Sequence, residues 1–326
     1  MSTIYLHVGP HKTGTTYLQK LWEENTESLA KNRLLYPKIF YTANGQHHLV
    51  THLLSNNLDE TFQESINFLN AVEEDIILSS ENFSVLKKEQ FAIIRKVLAE
   101  KEIKVVYYYR HSTQRFLSKW QETIKQGEQH SFYEYYTKHN LKPFESDELN
   151  PLLLLDMLSQ VFGKKNIHIV DYKQAHSQLS MMKEFEKIMH RENVIPDVDK
   201  SVNSMSNLAD IEIIRVLNYK AFKSGILKQS NVREVYNMLI YKNILNTEKV
   251  KEKIFKYSTL LKLGYTRVDR QVHFNVEKQY GSNFVNNITK VEEKEYLLIN
   301  DRYLLDEQIM AELDQIFALV SQHVKG

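Results

Sequence analysis

The chain has 326 residues, of which 42% are hydrophobic and 25% charged, as is typical of a soluble globular protein with one large domain or a core and an added lobe. Its 42 basic and 41 acidic residues leave a formal net charge of +1, which argues against a protein that coats nucleic acid by bulk charge. The sequence contains no cysteine, so disulfides, thiolate nucleophiles and zinc–cysteine sites are excluded.

The N-terminus leads directly into a short apolar stretch, without the basic region and long apolar run of a secretory signal. We therefore expect a cytoplasmic location. No stretch reaches the roughly 18 apolar residues that a membrane span needs, and the most apolar run, at residues 151–158, contains Asp156. We predict neither nucleic acid nor membrane as a partner, and the sequence leaves the oligomeric state open.

Four short apolar stretches predict β-strands that alternate with amphipathic helices. The predicted strands are Thr3–Val8, Asp75–Ser80, Lys104–Tyr109 and Ile167–Asp171. Their near-continuous apolar character is typical of strands covered on both faces. The predicted helices are Thr15–Lys31, Asp59–Val72, Gln90–Glu100 and Ser112–Lys125, the last with Ser112 as its N-cap. This alternation predicts an α/β fold with a parallel sheet flanked by helices.

From about Gln174 onward the pattern becomes mainly helical. The predicted helices are Met181–Glu192, Asn207–Phe222, Asn231–Leu245, Glu248–Leu263 and Leu305–Val324. With only 9 glycines and 5 prolines in the whole chain, no flexible linker separates this part from the rest. We therefore predict a single domain over residues 1–326, with an α/β donor-binding core at 1–175 and a mainly helical lobe at 176–326.

The stretch HVGPHKTGTT, at residues 7–16, follows the first predicted strand and opens the first predicted helix. Backbone N–H groups at a helix start have no partner within the helix, and the helix dipole adds partial positive charge there. Gly9 and Gly14 let the backbone wrap closely around a ligand, and Lys12 supplies a full charge. Hydroxyl groups come from Thr13, Thr15 and Thr16. The stretch therefore predicts an anion-binding loop.

Gly9 and Gly14 have the spacing of the nucleotide-binding motif G-x-x-x-x-G-K-[ST], but Thr15 stands where that motif has its lysine. In nucleoside triphosphatases this lysine reaches the β- and γ-phosphates, while the Ser or Thr binds Mg²⁺. A triphosphate with its metal is therefore a poorer fit here than a less charged group. A transferable sulfuryl group carries less negative charge, so Lys12 alone near the bridging oxygen is enough to stabilise it.

HVGPHKTGTT is similar to the 5′-phosphosulfate loop of sulfotransferases that use 3′-phosphoadenosine 5′-phosphosulfate (PAPS), and the continuation to Pro37 resembles bacterial members of this family. The resemblance implies a P-loop-like sulfotransferase fold, PAPS as the sulfuryl donor and no metal requirement. It also implies a catalytic role for Lys12. The donor-binding residues that it implies in the loop are Gly9, Lys12, Thr13, Gly14, Thr15 and Thr16.

A second candidate for donor binding follows the third predicted strand, in KVVYYYRHSTQRFLSKW. Arg110 ends the strand, and Ser118 stands eight residues later in the next predicted helix. Ligands bind at the carboxyl ends of strands in open α/β sheets, and arginine makes bidentate contacts with phosphate. The resemblance implies that Arg110 and Ser118 hold the 3′-phosphate of the donor.

Sulfuryl transfer to a hydroxyl group needs a general base that takes the hydroxyl proton. In sulfotransferases that this chain resembles, the base often follows the strand between the two donor motifs, where this sequence has Glu81. His11, beside the loop lysine, is the second candidate, and the pair His47 and His48 is the third. Adjacent histidines rarely point at one ion and no cysteine is available, so we predict no metal site.

The resemblance to bacterial members implies a hydroxyl of a carbohydrate or glycolipid as the acceptor, either a small molecule or a glycan. The predicted helical lobe and the segment Gln46–Ser55 are candidate acceptor walls. Two alternatives stay open. One is a nucleoside or small-molecule kinase that uses ATP and Mg²⁺ with a variant loop, and the other is a binding or scaffold protein with an inactive donor site.

Overall fold

The computed structural model describes residues 2–177, 181–195, 207–225, 232–263, 267–290 and 294–324. Its β-strands are, in chain order, β1 (Thr3–His7), β2 (Leu34–Leu35), β3 (Asp75–Ser79), β4 (Glu102–Tyr109), β5 (Ile167–Asp171), β6 (Ser258–Leu263) and β7 (Lys294–Ile299). Its α-helices are α1 (Thr15–Glu24), α2 (Thr26–Lys31), α3 (His47–Ser55), α4 (Glu60–Ala71), α5 (Lys88–Val97), α6 (Ser112–Lys125), α7 (Phe132–Asn140), α8 (Leu152–Phe162), α9 (Tyr172–Ser177), α10 (Met181–Met189), α11 (Leu208–Ser224), α12 (Val232–Tyr241), α13 (Glu248–Phe255), α14 (Arg267–Tyr280) and α15 (Glu307–Val324). Short 3₁₀ helices occur at Glu81–Val85, Lys164–Asn166, Gly281–Asn283 and Asp301–Leu305.

The strands β1 to β5 form one parallel sheet in the order β2-β3-β1-β4-β5. Ile4 of the central strand β1 pairs with Ile76 of β3 and with Ile103 of β4. The central strand is buried along its whole length, as expected for an apolar strand with neighbours on both sides and helices over both faces. The predicted α/β fold with a parallel sheet flanked by helices is confirmed.

The strand order predicts a crevice at the carboxyl ends of β1 and β4. From β1 the chain crosses to β2 on one side, whereas from β4 it crosses to β5 on the other side. Where neighbouring parallel strands lead away in opposite directions, their connections diverge and leave room for a ligand at the sheet edge. Backbone hydrogen bonds continue between the two strand ends, since the N–H of Tyr108 donates to the carbonyl of Gly9 at 3.1 Å.

Most predicted helices differ from those of the structure by a few residues at their ends, and two of them differ by more. The predicted helix Thr15–Lys31 is broken at Asn25, whose side-chain amide donates to the carbonyl of Leu21 at 2.8 Å and so ends α1. The prediction of a helix over Glu248–Leu263 was wrong for the second half of that segment. The chain leaves the helix after Phe255, and β6 pairs antiparallel with β7. This pairing is a long-range contact, which local sequence pattern does not reveal.

Serine 112 was predicted as the N-cap of α6. Instead Ser112 is the first residue of this helix, and its hydroxyl donates to the carbonyl of Leu149 at 2.9 Å. The hydroxyl therefore ties the helix start to a distant loop. Helix ends in α/β folds are often tied in this way, because their first backbone groups lack partners within the helix.

The chain divides into two compact units that are interleaved along the sequence, whereas the sequence suggested one boundary near residue 175. The first unit comprises Met1–His111, Asn150–Val202 and Asp269–Val291, and the second comprises Ser112–Leu149, Asn203–Val268 and Glu292–Gly326. The third segment belongs to the first unit because it forms backbone hydrogen bonds with the edge of the sheet. The N–H of Val285 donates to the carbonyl of Ile169 in β5 at 2.8 Å.

Each unit has its own apolar core. In the first, the fully buried Trp22 of α1 contacts Tyr36 and Phe185, with ring centroids 5.5 and 5.0 Å apart. Burying one such aromatic side chain stabilises a fold by about 1.5–3 kcal/mol, so this cluster holds α1 firmly on the sheet. In the second unit, side chains of α6, α11, α12, α13 and α15 pack with the β6–β7 pair.

Candidate functional site

The loop between β1 and α1 has three residues in left-handed backbone conformations. The φ angles are +82° at Gly9, +66° at Lys12 and +76° at Gly14. Glycine adopts such angles at little cost, whereas lysine rarely does. The loop therefore turns sharply at both predicted glycines and again at Lys12, and its backbone curls at the carboxyl end of β1.

Both glycines are also required by close neighbours. A Cβ atom on Gly9 would lie 3.0 Å from the Cα atom of Glu81, so the loop touches the residue that follows β3. A Cβ atom on Gly14 would lie 2.5 Å from Cε of Met181 and 3.4 Å from the ring of Tyr172. The two ends of the loop thus pack against β3 on one side and against α9 and α10 on the other.

The three predicted threonines have different environments. Thr13 is fully buried, and its hydroxyl donates to the carbonyl of Pro10 at 2.6 Å, so this side chain braces the loop. Thr15 opens α1 and is 4% exposed, and among the described residues its hydroxyl oxygen has no hydrogen-bond partner. Thr16 is exposed. The N-cap of α1 is Gly14, which offers no side chain to the amides of the first turn.

Arg110 and the loop meet in the crevice, although 98 residues separate them in the chain. The Nη1 group of Arg110 donates to the carbonyl of Lys12 at 2.6 Å. The guanidinium also lies over the ring of Tyr172, 5.0 Å from its centroid, and burial raises the pKa of that phenol. A neutral aromatic face and a loop carbonyl therefore hold the guanidinium at the helix start of α1.

Glu81 lies at the end of β3, as the first residue of a 3₁₀ helix, and its side chain is 21% exposed. Its Oε2 atom accepts a hydrogen bond from Nε2 of Gln19 at 3.3 Å and lies 4.0 Å from Nε2 of His47. Among the described residues, the Oε1 atom of Glu81 makes no hydrogen bond. The structure therefore brings together Glu81, His47 and the buried Gln19 of α1 beside the start of the loop.

Neighbouring polar groups determine how His47 is oriented. Its Nδ1 atom lies 2.7 Å from the hydroxyl of Ser80 and 3.4 Å from the side-chain amide of Asn82. The amide nitrogen of Asn82 can only donate, so it is placed to donate to Nδ1, and the hydroxyl of Ser80 can do the same. Nδ1 is then the accepting atom of the ring, and Nε2 is the atom that faces Glu81.

Buried polar side chains next to the site hold the end of β3 and the start of α3 in place. His7 is fully buried, its Nδ1 atom lies 2.8 Å from the hydroxyl of Ser79, and burial lowers the pKa of the imidazole to about 3. Gln46 accepts the N–H of Ser79 at 2.7 Å and donates to the carbonyl of Pro37 at 2.9 Å. These bonds hold the segment before α3 against the end of β3, and so fix where His47 begins the helix.

The other predicted residues lie in different surroundings. His11 is half-buried within the loop, and His48 is exposed on α3. Ser118 is half-buried in α6 of the second unit, so its role in donor binding stays a prediction. Arg115, between the two predicted residues of the second motif, is buried and donates to the carbonyl of Glu148 at 2.9 Å. Its guanidinium has a structural partner within its own unit.

Sequence reasoning missed Gln19 and Gly45, and it named Gln46 only as the first residue of a candidate acceptor wall. A signal for Gln19 was available, because this polar residue lies on the otherwise apolar face of α1, beside Leu18 and Trp22. Gly45 and Gln46 stand in a loop without regular periodicity, and their contacts with β3 depend on the folding of the chain around them. No sequence pattern indicated these contacts.

Two features are absent from the described part of the chain. None of its helices is both long and apolar enough to cross a membrane. No group of three or more His, Cys, Asp or Glu side chains in it is placed to hold a metal ion.

Comparison with models of known protein families, with curated proteins and with solved structures found no match to this chain. The function is therefore inferred from the site and from the resemblance of its loop sequence.

Proposed function

We propose that this protein is a PAPS-dependent sulfotransferase that moves a sulfuryl group to a hydroxyl of an acceptor, with a carbohydrate or glycolipid as the expected acceptor class. The observation that carries the proposal is the hydrogen bond of 2.6 Å from Arg110 to the carbonyl of Lys12. It joins the loop and the arginine, the two parts of the first unit expected to bind a donor with two anionic ends. Glu81 borders the same loop at Gly9.

The residues present fit such a donor. Thr15 has a buried hydroxyl without a partner among the described residues, and the amides of the first turn of α1 face no side-chain cap. A buried polar group without a partner costs about 1–3 kcal/mol, which an anion accepting from it would recover. Lys12 and Arg110 add two cationic side chains to this helix start, where the dipole already favours negative charge.

In the proposed reaction, Lys12, Arg110 and Glu81 each have a separate role. When bound, PAPS supplies an activated sulfuryl group and a nucleotide leaving group. Lys12 stabilises the negative charge that develops on the leaving oxygen. A guanidinium carries five N–H donors, so Arg110 can brace the loop and bind the 3′-phosphate together. Glu81 takes the proton from the acceptor hydroxyl through a carboxylate oxygen.

The position of the lysine supports sulfuryl rather than phosphoryl transfer. A P-loop kinase has its lysine after the second glycine, where this chain has Thr15 with a buried side chain. A lysine at position 12 lies before the last turn of the loop, and its backbone carbonyl is held by Arg110. The site therefore has cationic side chains for a singly charged sulfuryl group without a lysine directed at a triphosphate.

Ligand binding tests the proposal directly. Adenosine 3′,5′-bisphosphate, the product of sulfuryl transfer, should raise the melting temperature without any metal, because a ligand that binds only the folded state stabilises it. ATP with Mg²⁺ should raise it much less. At a ligand concentration of about 100 times Kd, the expected stabilisation is about 2.7 kcal/mol. A larger shift with ATP and Mg²⁺ would support the kinase alternative and contradict the proposal.

Substitution of the loop lysine tests the chemistry. Lys12→Ala should lower the rate of transfer from radiolabelled PAPS to a panel of glycan and glycolipid acceptors by about 100-fold or more, since it removes the charge that stabilises the leaving oxygen. Lys20→Ala, which removes an exposed lysine further along α1, is the matched control and should leave the rate unchanged. Equal rates in the two variants would show that Lys12 has no catalytic role.

A further inference from the structure

We infer that Gln19 is a positioning residue that fixes which oxygen of Glu81 accepts the proton. This inference rests on the proposed function and adds a residue to it. Gln19 belongs to α1, the helix that the donor loop opens, yet its side chain reaches the end of β3. Its amide is buried, with 1% of the residue exposed, so its two N–H groups need partners.

Both N–H groups of Gln19 are used at the end of β3. Nε2 lies 3.1 Å from the hydroxyl of Ser79, 3.5 Å from the Ser79 carbonyl and 3.3 Å from Oε2 of Glu81. A carbonyl and a carboxylate only accept hydrogen bonds, so the atom that faces them must be the amide nitrogen. The amide therefore bridges the last residue of β3 and one chosen oxygen of the carboxylate.

His47 approaches the same oxygen from the other side. Its Nε2 atom lies 4.0 Å from Oε2, and no described residue donates to Oε1. The hydrogen bond from Gln19 to one carboxylate oxygen restricts rotation of the whole group and directs the other oxygen outward. Oε1 is then the atom that receives the acceptor proton, and Oε2 is the anchored atom.

Gly45 provides the space for this arrangement. A Cβ atom there would lie 2.7 Å from Nε2 of Gln19, 2.7 Å from the Ser79 carbonyl and 3.0 Å from Nε2 of His47. Any larger residue at position 45 would displace the amide or the imidazole, or both. Position 45 therefore needs a glycine because the neighbouring groups leave no space for a side chain. Its backbone angle is not the reason, since its φ is not in the left-handed region.

The first test is kinetic. Gln19→Met has a similar shape but no N–H group, and it should lower kcat about tenfold, because a general base that is no longer held in place loses part of its contribution. KM for the acceptor and Kd for adenosine 3′,5′-bisphosphate should stay within about twofold, because the donor loop is intact. Gln63→Met, which removes an exposed amide on α4, is the control. An unchanged kcat in Gln19→Met would overturn the inference.

A second variant serves in case Gln19→Met does not fold. Gly45→Ala should reproduce the loss of kcat, whereas Gly281→Ala, where nothing lies within 4 Å of the added Cβ, should not. If Gly45→Ala has wild-type kcat, the proposed crowding of Gln19 and His47 does not matter for the reaction and the inference fails.

The contact itself can be measured without turnover. In protein with ¹⁵N-labelled glutamine side chains, the NH₂ signals of Gln19 should move upfield in Glu81→Ala, because one proton loses a carboxylate acceptor. Unmoved signals would show that Gln19 does not bind Glu81. If these signals move but the wild-type protein transfers no sulfuryl group, the proposed function fails while the contact stands. If transfer occurs and the signals stay, the inference alone is overturned.

Discussion

Arg110 combines two contacts that a lysine could not make in the same way. Its guanidinium donates to the loop carbonyl of Lys12 at 2.6 Å while lying over the ring of Tyr172. A guanidinium is planar and offers several donors in fixed directions, whereas an ammonium group is a compact point charge. If Arg110 binds an anion as we propose, this residue links the shape of the loop to that binding.

Replacing this side chain by lysine tests that link. Arg110→Lys should weaken binding of adenosine 3′,5′-bisphosphate about tenfold or more in calorimetric titration, because a bidentate contact and the bond to the loop are lost together. Arg95→Lys is the matched control, since Arg95 is exposed and also donates to a backbone carbonyl, that of Ala99, at 3.4 Å. Equal affinity in the two variants would contradict the role proposed for Arg110.

At the scale of elements, the start of α1 lies between the loop that follows β1 and α10. Gly14 has a φ of +76° and lies against the thioether of Met181, and the indole of Trp22 contacts Sδ of Met182 at 3.3 Å. The loop shape therefore depends on a helix far along the chain. A change at Gly14 should disturb both the stability of this unit and its ligand binding.

Two alanine substitutions separate these effects. Gly14→Ala and Gly163→Ala should each lower the free energy of unfolding by about 1–3 kcal/mol, since both glycines have positive φ angles, +76° and +85°. Only Gly14→Ala should also weaken binding of adenosine 3′,5′-bisphosphate, because the nearest atom to a Cβ at Gly163 is 3.9 Å away and belongs to Asn166. Urea unfolding and calorimetry measure the two quantities. Normal binding by folded Gly14→Ala would argue against a rigid donor loop.

At the scale of the whole molecule, buried neutral histidines make stability depend on pH. Burial lowers the pKa of His7 to about 3 and that of His111 to about 4. In the unfolded chain these groups take up protons near their ordinary value of 6.5, but in the folded protein they do not. The unfolded state therefore binds more protons below pH 6.5, so the stability present at neutral pH is lost as the pH falls toward the folded-state values.

The contribution of His7 can be isolated. As the pH falls below 6.5, the slope of the free energy of unfolding should approach about 1.4 kcal/mol per pH unit for each buried histidine that stays neutral. His7→Phe keeps an aromatic ring among Trp22 and Tyr108 but cannot titrate, so the slope should decrease by about that amount. His48→Gln, at an exposed position, should leave the slope unchanged. Urea midpoints at several pH values measure it, and an identical slope in His7→Phe would refute the prediction.

Local sequence pattern was sufficient for four of the five strands of the parallel sheet, whereas the two-residue strand β2 was not predicted. The predicted strand Ile167–Asp171 has the bounds seen in the structure, and the other three differ by one or two residues at an end. Strands buried on both faces need continuous apolar runs, and such runs can be recognised from residues that are adjacent in the sequence. The loop of Gly9, Lys12 and Gly14 was likewise visible, because glycines after an apolar strand mark a tight turn before a helix.

The tertiary structure alone decided which side chains meet. Among the candidate bases, the fold places His47 beside Glu81, leaves His48 exposed and adds Gln19, which the sequence had not indicated. In the structure, the end of the predicted helix Glu248–Leu263 is a strand, because this segment pairs with β7. Local propensity describes what a segment prefers among its nearest neighbours, whereas contacts between residues far apart in the chain arise only when the packed elements bring them together.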